Sequence, residues 1–135
     1  MCIFCKIIQG EIPSYKVYED GKVLAILDIS QATKGHTLVM PKMHYETIFD
    51  LNDEITAHLY QVVQKISKHY QTKIPNLKGL NLLNNNLPKA GQTVPHYHVH
   101  VIPRYEDDNL VDMQFTDNSQ TVDFNNLLNV IKING

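Results

Sequence analysis

At 135 residues the chain has the size of one domain that buries about two-thirds of its unfolded surface. It carries 12 basic and 14 acidic residues, a formal net charge of -2, and its Lys and Arg are scattered, which argues against a nucleic-acid partner. No apolar stretch approaches the roughly 20 residues of a membrane span, and the first residues lack the basic region of a secretory signal, so we expect a cytoplasmic protein without a membrane partner.

The first residues include a C-x-x-C unit made of Cys2 and Cys5, the two cysteines of the chain. Cysteines so close in sequence do not tie distant parts of a fold together. A metal site is favoured over a redox motif because no βαβ pattern follows, and two free thiols are the third alternative. Residues 6–9 are predicted to form one or two helical turns that end before Pro13.

Four segments are predicted to be strands. Residues 15–19 and 22–29 are rich in β-branched and aromatic side chains, and Asp20-Gly21 between them predicts a hairpin with a type I′ turn. Residues 36–40 and 79–84 are predicted as the third and fourth strands.

The best helical periodicity lies in residues 52–70, where Asn52 or Asp53 would cap the helix. His58 and His69 lie off its apolar face and are predicted to be solvated. Apolar residues recur there at steps of three and four and form one stripe: Ile55, Leu59, Val62, Val63, Ile66 and Tyr70.

The C-terminal part is less regular. Residues 121–133 predict a second, shorter amphipathic helix. Val111, Met113 and Phe115 alternate within a polar, acidic segment, which fits either a short exposed strand that covers a partner subunit or a plain loop. Consecutive hairpin strands with helices grouped on one side indicate an α+β domain with an antiparallel sheet of about five strands, one long helix and one C-terminal helix.

The most informative segment is residues 96–102, in which His96, His98 and His100 occupy alternate positions. On a strand, that spacing turns all three imidazoles toward one face, while the intervening residues face the core. Pro95 and Pro103 bracket the predicted strand. Histidine has an unperturbed pKa of about 6.5, so much of it is neutral near pH 7, and the row suits transfer chemistry or metal binding.

Covalent phosphoryl-type transfer and a histidine metal site are the two chemical interpretations of this row. A catalytic zinc site usually also needs a base or an outer carboxylate, and none lies in the segment. A histidine nucleophile needs a neutral attacking nitrogen, an acceptor for its other nitrogen, and donors near the developing charge. The preceding loop offers such donors, although its Asn and Gly also fit a simple turn: Asn84, Asn85, Asn86, Lys89, Gly91, Gln92 and Thr93.

Residues 96–102 resemble the signature of the histidine triad (HIT) superfamily, His-x-His-x-His with apolar spacers. The resemblance covers residues 2–104. The C-x-x-C unit and residues 102–104 are most similar to bacterial HIT proteins of the nucleotide-binding branch. The resemblance implies a HIT-like fold with residues 1–135 as a single domain. Further segments resemble the family in the right order: Phe4-Cys5-Lys6-Ile7-Ile8, Glu11-Ile12-Pro13, Leu27-Asp28-Ile29-Ser30, residues 35–42, Gly91-Gln92-Thr93-Val94 and Ile102-Pro103-Arg104.

The resemblance implies an enzyme, a nucleotide hydrolase or transferase of the purine nucleoside (adenosine 5'-) phosphoramidase type. His98 would attack the α-phosphorus, and water would then hydrolyse the nucleotidyl-histidine and release a nucleoside monophosphate such as AMP. His100 and His36 would line the phosphate pocket, and Gln92 and Thr93 would contact the phosphate or the leaving group. A dinucleoside polyphosphate hydrolase and a non-catalytic nucleotide-binding regulatory module are the alternatives.

The same resemblance implies a nucleotide-binding set. Asn85 would bind phosphate, and Asp28 would accept hydrogen bonds from the ribose hydroxyls, since an ionised Asp is acceptor-only. Phe4 and Ile29 would sandwich the base. Without the resemblance, Phe4 and Ile29 are core candidates and Asp28 is a turn residue.

For the C-x-x-C unit, the resemblance points to His44 and His96 as the partners of Cys2 and Cys5 in a tetrahedral zinc site. Zinc held by four protein ligands would be structural, with no open position for substrate. A homodimer is also implied by the resemblance.

Overall fold

The structure is a computed structural model that describes residues 2–110 and 114–135. Five antiparallel strands form one sheet in the order β1-β2-β3-β5-β4, which confirms the predicted α+β class. The elements are α1 (Ile3–Ile8), β1 (Lys16–Glu19), β2 (Val23–Leu27), β3 (Thr37–Pro41), α2 (Asp53–Lys73), β4 (Gly79–Leu83), β5 (Val99–Arg104) and α3 (Phe124–Ile131).

The long helix α2 forms as predicted. The Asn52 side chain accepts a hydrogen bond from the Ile55 N–H at 2.9 Å and caps the first turn. All six residues of the predicted apolar stripe are buried. They pack on alternate residues of the central strands, among them Val23, Val39 and Val99.

The opposite face of the sheet is covered by α1, so the prediction that the helices lie on one side is wrong. Phe4 of α1 packs with Leu24, Ile26, Leu38 and Met40 in a second core. Successive residues of β2 point to opposite faces, and its first four residues are at most 4% exposed. A strand that is covered on both faces typically has a continuous run of apolar residues, and β2 has such a run.

The hairpin between β1 and β2 is present, but the predicted type I′ turn is not. Gly21 lacks the positive φ that this turn requires. Instead, Oδ1 of Asp20 accepts the N–H groups of Lys22 and Val23, both at 2.8 Å. A side chain that accepts backbone donors two and three residues on stabilises the turn without a left-handed residue.

The same carboxylate joins the hairpin to α2. Oδ2 of Asp20 lies 2.7 Å from the Tyr18 hydroxyl and 2.7 Å from Nε2 of His58. His58 is therefore half-buried against the hairpin, and the prediction that it is solvated is wrong. Residues 38 positions apart meet here, which helical periodicity does not reveal.

The C-terminal helix α3 is shorter than the predicted 121–133. Its apolar residues Phe124, Leu127, Leu128 and Ile131 are all exposed. Val111 and Met113 of the predicted alternating segment lie outside the described residues, and Phe115 is exposed. Among the helices of residues 2–110 and 114–135, none is both long and apolar enough to cross a bilayer.

Replacing Asp20 by Asn should lower the free energy of unfolding by about 1–3 kcal/mol at pH 7, because it removes a charged acceptor shared by four donors. Burial alone would raise the pKa of this carboxyl, but hydrogen bonds from the Lys22 N–H, Tyr18 and His58 offset it and hold the pKa well below its usual range. The stabilisation is therefore full above the unfolded pKa of about 4 and is lost as the pH falls further.

Urea unfolding across a pH series measures this effect. The difference between Asp20→Asn and the wild type should shrink as the pH falls below about 4. Glu11→Gln, a change at an exposed acid, is the control. Equal stabilities of wild type and Asp20→Asn at pH 7 would contradict the assignment.

Candidate functional site

The three histidines do not share one strand face, so the predicted single strand over residues 96–102 is wrong. β5 begins at Val99, which leaves His96 and His98 in an irregular segment before it. The His96 N–H donates to the Val94 carbonyl at 2.8 Å, and this tight turn interrupts the alternation of a strand. His96 consequently lies among the cysteines, whereas the rings of His98 and His100 have centroids 5.0 Å apart.

The four residues that the resemblance assigned to zinc lie together in the structure. The two Sγ atoms and the Nδ1 atoms of His44 and His96 form six pairs separated by 3.2 to 3.6 Å. A tetrahedral metal about 2.0–2.3 Å from each donor requires edges of about 3.3–3.8 Å. The donor set therefore fits a four-coordinate ion such as zinc.

The tautomer of His96 also fits a metal ligand. Its Nε2 donates to the Pro41 carbonyl at 2.8 Å, so the neutral ring carries its proton there and leaves the Nδ1 lone pair toward the sulfurs. Burial lowers the pKa of His96 to about 4, and the hydrogen bond to Pro41 opposes this only in part. A neutral imidazole whose other nitrogen is held by a carbonyl is the usual ligand form.

His98 has the arrangement of a histidine nucleophile. Its Nδ1 lies 2.7 Å from the His96 carbonyl, so Nδ1 carries the proton and Nε2 is the free nitrogen. Asn84 holds the same segment from the other side, because its Nδ2 donates to the His98 carbonyl at 2.9 Å. Burial lowers the pKa of His98, which keeps the attacking nitrogen unprotonated.

His36 and His100 form a hydrogen-bonded pair beside it. The Ala32 N–H donates to Nδ1 of His36 at 3.1 Å, so the proton of the neutral ring must sit on Nε2. That nitrogen lies 2.9 Å from Nδ1 of His100 and donates to it. His100 must then carry its own proton on Nε2, which gives the site a donor.

Asp28, His36 and His100 form a second cluster with metal-type ligands, but the hydrogen bonds argue against a metal there. A metal on Nε2 of His36 would displace the proton from that nitrogen. The proton would move to Nδ1, where it would meet the Ala32 N–H, and two donors would face each other. The Asp28 carboxylate lies 3.6 Å from Nε2 of His36, which is beyond hydrogen-bond distance.

Burial has the same effect on both members of this pair. It lowers the pKa of His100 to about 4, with His98 and His36 adding to the shift. It also lowers the pKa of His36, against an opposing effect of Asp28. Both rings are thus neutral at pH 7, as the tautomer assignment requires.

Phe4 connects the cluster of Cys2, Cys5, His44 and His96, called the metal-type cluster below, to His98. It lies between the two cysteines in sequence and is 7% exposed. Its ring meets the His98 ring edge-on, with centroids 5.0 Å apart and an interplanar angle of 90°. The ring of His96 lies 6.0 Å away. A shift of α1 would therefore be transmitted to the ring of His98.

The loop before the triad is held by Gln92. Its Oε1 accepts from the Leu87 N–H at 2.8 Å, and its Nε2 donates to the Glu46 carbonyl at 2.6 Å. Leu87 has φ 74° and ψ 156°, a region that glycine prefers and that costs about 1–3 kcal/mol for other residues. One Nε2 hydrogen of Gln92 remains for a ligand.

The remaining predicted ligand residues lie in loops. Ile29 is 88% exposed, Thr93 is exposed, and Nδ2 of Asn85 donates weakly to the Gly91 carbonyl at 3.4 Å. Oδ1 of Asp28 accepts from the Ser30 N–H at 2.8 Å. These residues retain polar or apolar surface for a ligand.

Sequence reasoning missed the groups that orient the imidazoles. Two are backbone groups, the Pro41 carbonyl and the Ala32 N–H, and no residue pattern marks a backbone group. One Nδ2 hydrogen of Asn84, which was identified as a phosphate donor, is used by the His98 carbonyl.

A groove of about 830 Å³ lies along residues 31–34, 74–76 and 105–109. The histidines do not line it, and its residues include no metal-type cluster or imidazole. The chemistry of the described residues therefore places the candidate site at the histidines and not in this groove.

Comparison with known proteins identifies the family. The family described as "HIT domain" matches residues 9–107. "Protein hit" of Bacillus subtilis is 58% identical over 104 residues, which cover 77% of this chain and 71% of that protein. "Adenosine 5'-monophosphoramidase hnt1" of Schizosaccharomyces pombe is 43% identical over 103 residues, covering 76% and 74%.

Solved structures show the same fold. A HIT family protein from Bacillus anthracis has a TM-score of 0.88 at 51% identity and covers 96% of this chain and 91% of its own. A "ZN-bound histidine triad family protein" from Mycobacterium smegmatis has a TM-score of 0.77 at 38% identity, covering 89% and 86%.

The metal-type cluster should bind one Co²⁺ per chain with the visible spectrum of tetrahedral thiolate and imidazole coordination, because its donors lie at the corners of a tetrahedron. His44→Ala should weaken binding by more than about tenfold, since loss of an outer partner alone costs about 10–100-fold. His69→Ala, on the exposed surface of α2, should bind as the wild type does. Anaerobic Co²⁺ titration measures this, and an octahedral spectrum or equal affinity of His44→Ala would contradict it.

Proposed function

The chain belongs to the HIT domain family, and we propose that it hydrolyses purine nucleoside 5'-phosphoramidates, with adenosine 5'-phosphoramidate as the representative substrate and AMP as the product. The observation that carries the proposal is the single free nitrogen of His98, whose ring is neutral and lies beside the ring of His100. The S. pombe relative named as an adenosine 5'-monophosphoramidase supports the choice of substrate.

In the proposed reaction, Nε2 of His98 attacks the α-phosphorus and the P–N bond breaks. The departing amine takes up one proton, which a bound water supplies. Water then attacks the nucleotidyl-histidine, the N–P bond breaks, and His98 regains its free nitrogen. The sum is phosphoramidate plus water giving AMP plus ammonia.

Donors of the site would stabilise the charge that develops on the non-bridging oxygens. We assign this role to Nε2–H of His100 and to the remaining amide hydrogen of Gln92, with Asn85 and Thr93 as further phosphate contacts. His36 acts through His100, because it donates to His100 Nδ1 and so keeps the His100 proton on the opposite nitrogen.

The nucleoside would lie beside Asp28. The free lone pairs of its carboxylate would accept from the two ribose hydroxyls. Ile29 presents an exposed apolar side chain that a purine would cover, and Phe4 supplies the buried apolar wall behind His98. Burial of an apolar ring on such a surface favours binding.

We also propose that zinc occupies the cluster of Cys2, Cys5, His44 and His96 as a structural ion. Four protein donors leave no open position for substrate, so zinc would fix α1 and His96 and take no part in the reaction. The zinc-bound M. smegmatis neighbour supports the choice of metal. The exposed apolar face of α3 supports the further proposal of a homodimer.

His98→Ala should lower AMP release from adenosine 5'-phosphoramidate by at least about 10⁴-fold, because it removes the nucleophile. Chromatographic AMP release by the wild type, His98→Ala and the surface control His69→Ala measures this. Diadenosine polyphosphate is assayed in parallel, since the same nucleophile would act on it with another leaving group.

A preference for the dinucleotide would replace the proposed substrate class with dinucleoside polyphosphates. If the wild type releases AMP from neither compound while His98→Ala still binds AMP normally, the protein is a nucleotide-binding module and the proposal of catalysis is wrong.

Activity should persist into mild acid. His98 must be neutral to attack, and burial lowers its pKa, so the acid limb of kcat/KM should fall below the ordinary histidine value of about 6.5. Initial rates between pH 4.5 and 8, corrected for non-enzymatic P–N hydrolysis, measure the limb. An acid limb at or above 6.5 would contradict the assignment.

A further inference from the structure

The loop that runs from Asp28 to His36 is closed by a backbone hydrogen bond, from the Asp28 N–H to the His36 carbonyl at 3.0 Å, and by the exposed side chain of Gln31. Its Nε2 lies 2.5 Å from the Asp28 carbonyl and 2.7 Å from the His36 carbonyl. Its Oε1 accepts from the Gly35 N–H at 2.8 Å. The amide therefore bridges both ends of the loop and the residue before His36.

These partners fix the orientation of the amide. Two carbonyls face one end of the Gln31 side chain and an N–H faces the other, so Nε2 and Oε1 are not interchangeable. Both Nε2 hydrogens are used. The three bonds leave the side chain no second orientation with equal hydrogen bonding.

Two further hydrogen bonds hold the loop and do not involve Gln31. The Thr33 hydroxyl donates to the Pro103 carbonyl at 2.5 Å, and the Tyr105 hydroxyl donates to the Lys34 carbonyl at 2.5 Å. These bonds attach the loop to the end of β5. They do not involve Ala32 or His36, which are hydrogen-bonded to each other.

Ala32 follows Gln31 directly, and its N–H is the group that donates to Nδ1 of His36. The direction of this N–H depends on the path of the backbone at Gln31, which the amide bridge sets. If the N–H turned away, Nδ1 of His36 would lose its donor, and the ring could place its proton on either nitrogen.

We propose that Gln31 is a positioning residue that keeps the proton of His36 on Nε2 and, through the His36–His100 hydrogen bond, the proton of His100 on Nε2. Its kinetic consequence rests on the proposed function. The tautomer itself does not, because it is a property of the ligand-free protein.

Nitrogen-15 NMR of histidine-labelled protein tests the tautomer directly. In the wild type, His36 should show an unprotonated Nδ1 and a protonated Nε2. In Gln31→Ala the His36 signals should move toward averaged values of the two tautomers. Gln31→Glu should do the same, since it keeps an acceptor for Gly35 but sets carboxylate oxygens against two carbonyls.

Tyr105→Phe is the matched control, because it removes a hydrogen bond to the Lys34 carbonyl of the same loop and leaves the bonds of Gln31 and Ala32 in place. Its thermal unfolding midpoint should fall at least as much as that of Gln31→Ala, while its His36 spectrum stays that of the wild type. This separates positioning of the proton from general loosening of the loop.

The kinetic test uses the same variants with adenosine 5'-phosphoramidate. Gln31→Ala should lower kcat by about 10–100-fold, as loss of an outer partner does in comparable sites, with KM changed less than about threefold. Tyr105→Phe should keep the wild-type kcat.

An unchanged His36 tautomer in Gln31→Ala would overturn the proposal, as would an equal spectral change in Tyr105→Phe. Absence of turnover in the wild type would refute the proposed function alone, and the NMR result would still decide the role of Gln31.

Discussion

The chemistry of this protein depends on hydrogen bonds between backbone groups and imidazole rings. The Pro41 carbonyl holds the proton of His96 on Nε2, and the His96 carbonyl holds that of His98 on Nδ1. A neutral imidazole has one donor and one acceptor nitrogen, so each bond decides what the opposite nitrogen does. The same residue type thereby presents a free Nδ1 toward the cysteines at position 96 and a free Nε2 at position 98.

These bonds require neutral rings, and burial provides them. Removing an imidazole from water disfavours its charged form, and this effect dominates the pKa of His98 and His100. A protonated ring at His36 would place a proton against the Ala32 N–H. The low pKa and the hydrogen-bond pattern therefore have one cause, the burial of this cluster.

The metal-type cluster is in contact with His98 through Phe4 and His96. Cys2 and Cys5 flank Phe4, whose ring packs edge-on against His98. The carbonyl of His96 accepts a hydrogen bond from Nδ1 of His98. A metal bound by the thiolates and His96 would thus fix both the ring and its hydrogen-bond acceptor. A site with four protein donors and no open coordination position is typical of a structural metal.

The sequence by itself determined the elements whose signals are local. A stripe with period 3.6 identified α2, and alternating β-formers identified the hairpin, because these periodicities follow from backbone geometry alone. The family signature also predicted the four residues Cys2, Cys5, His44 and His96, which lie together in the structure. Tertiary structure decided the rest: the position of α1 opposite α2, the pairing of His58 with Asp20, and the division of the triad at His96. Each depends on groups distant in sequence, such as Pro41, 55 positions from His96, and their approach is set by packing that no local pattern records.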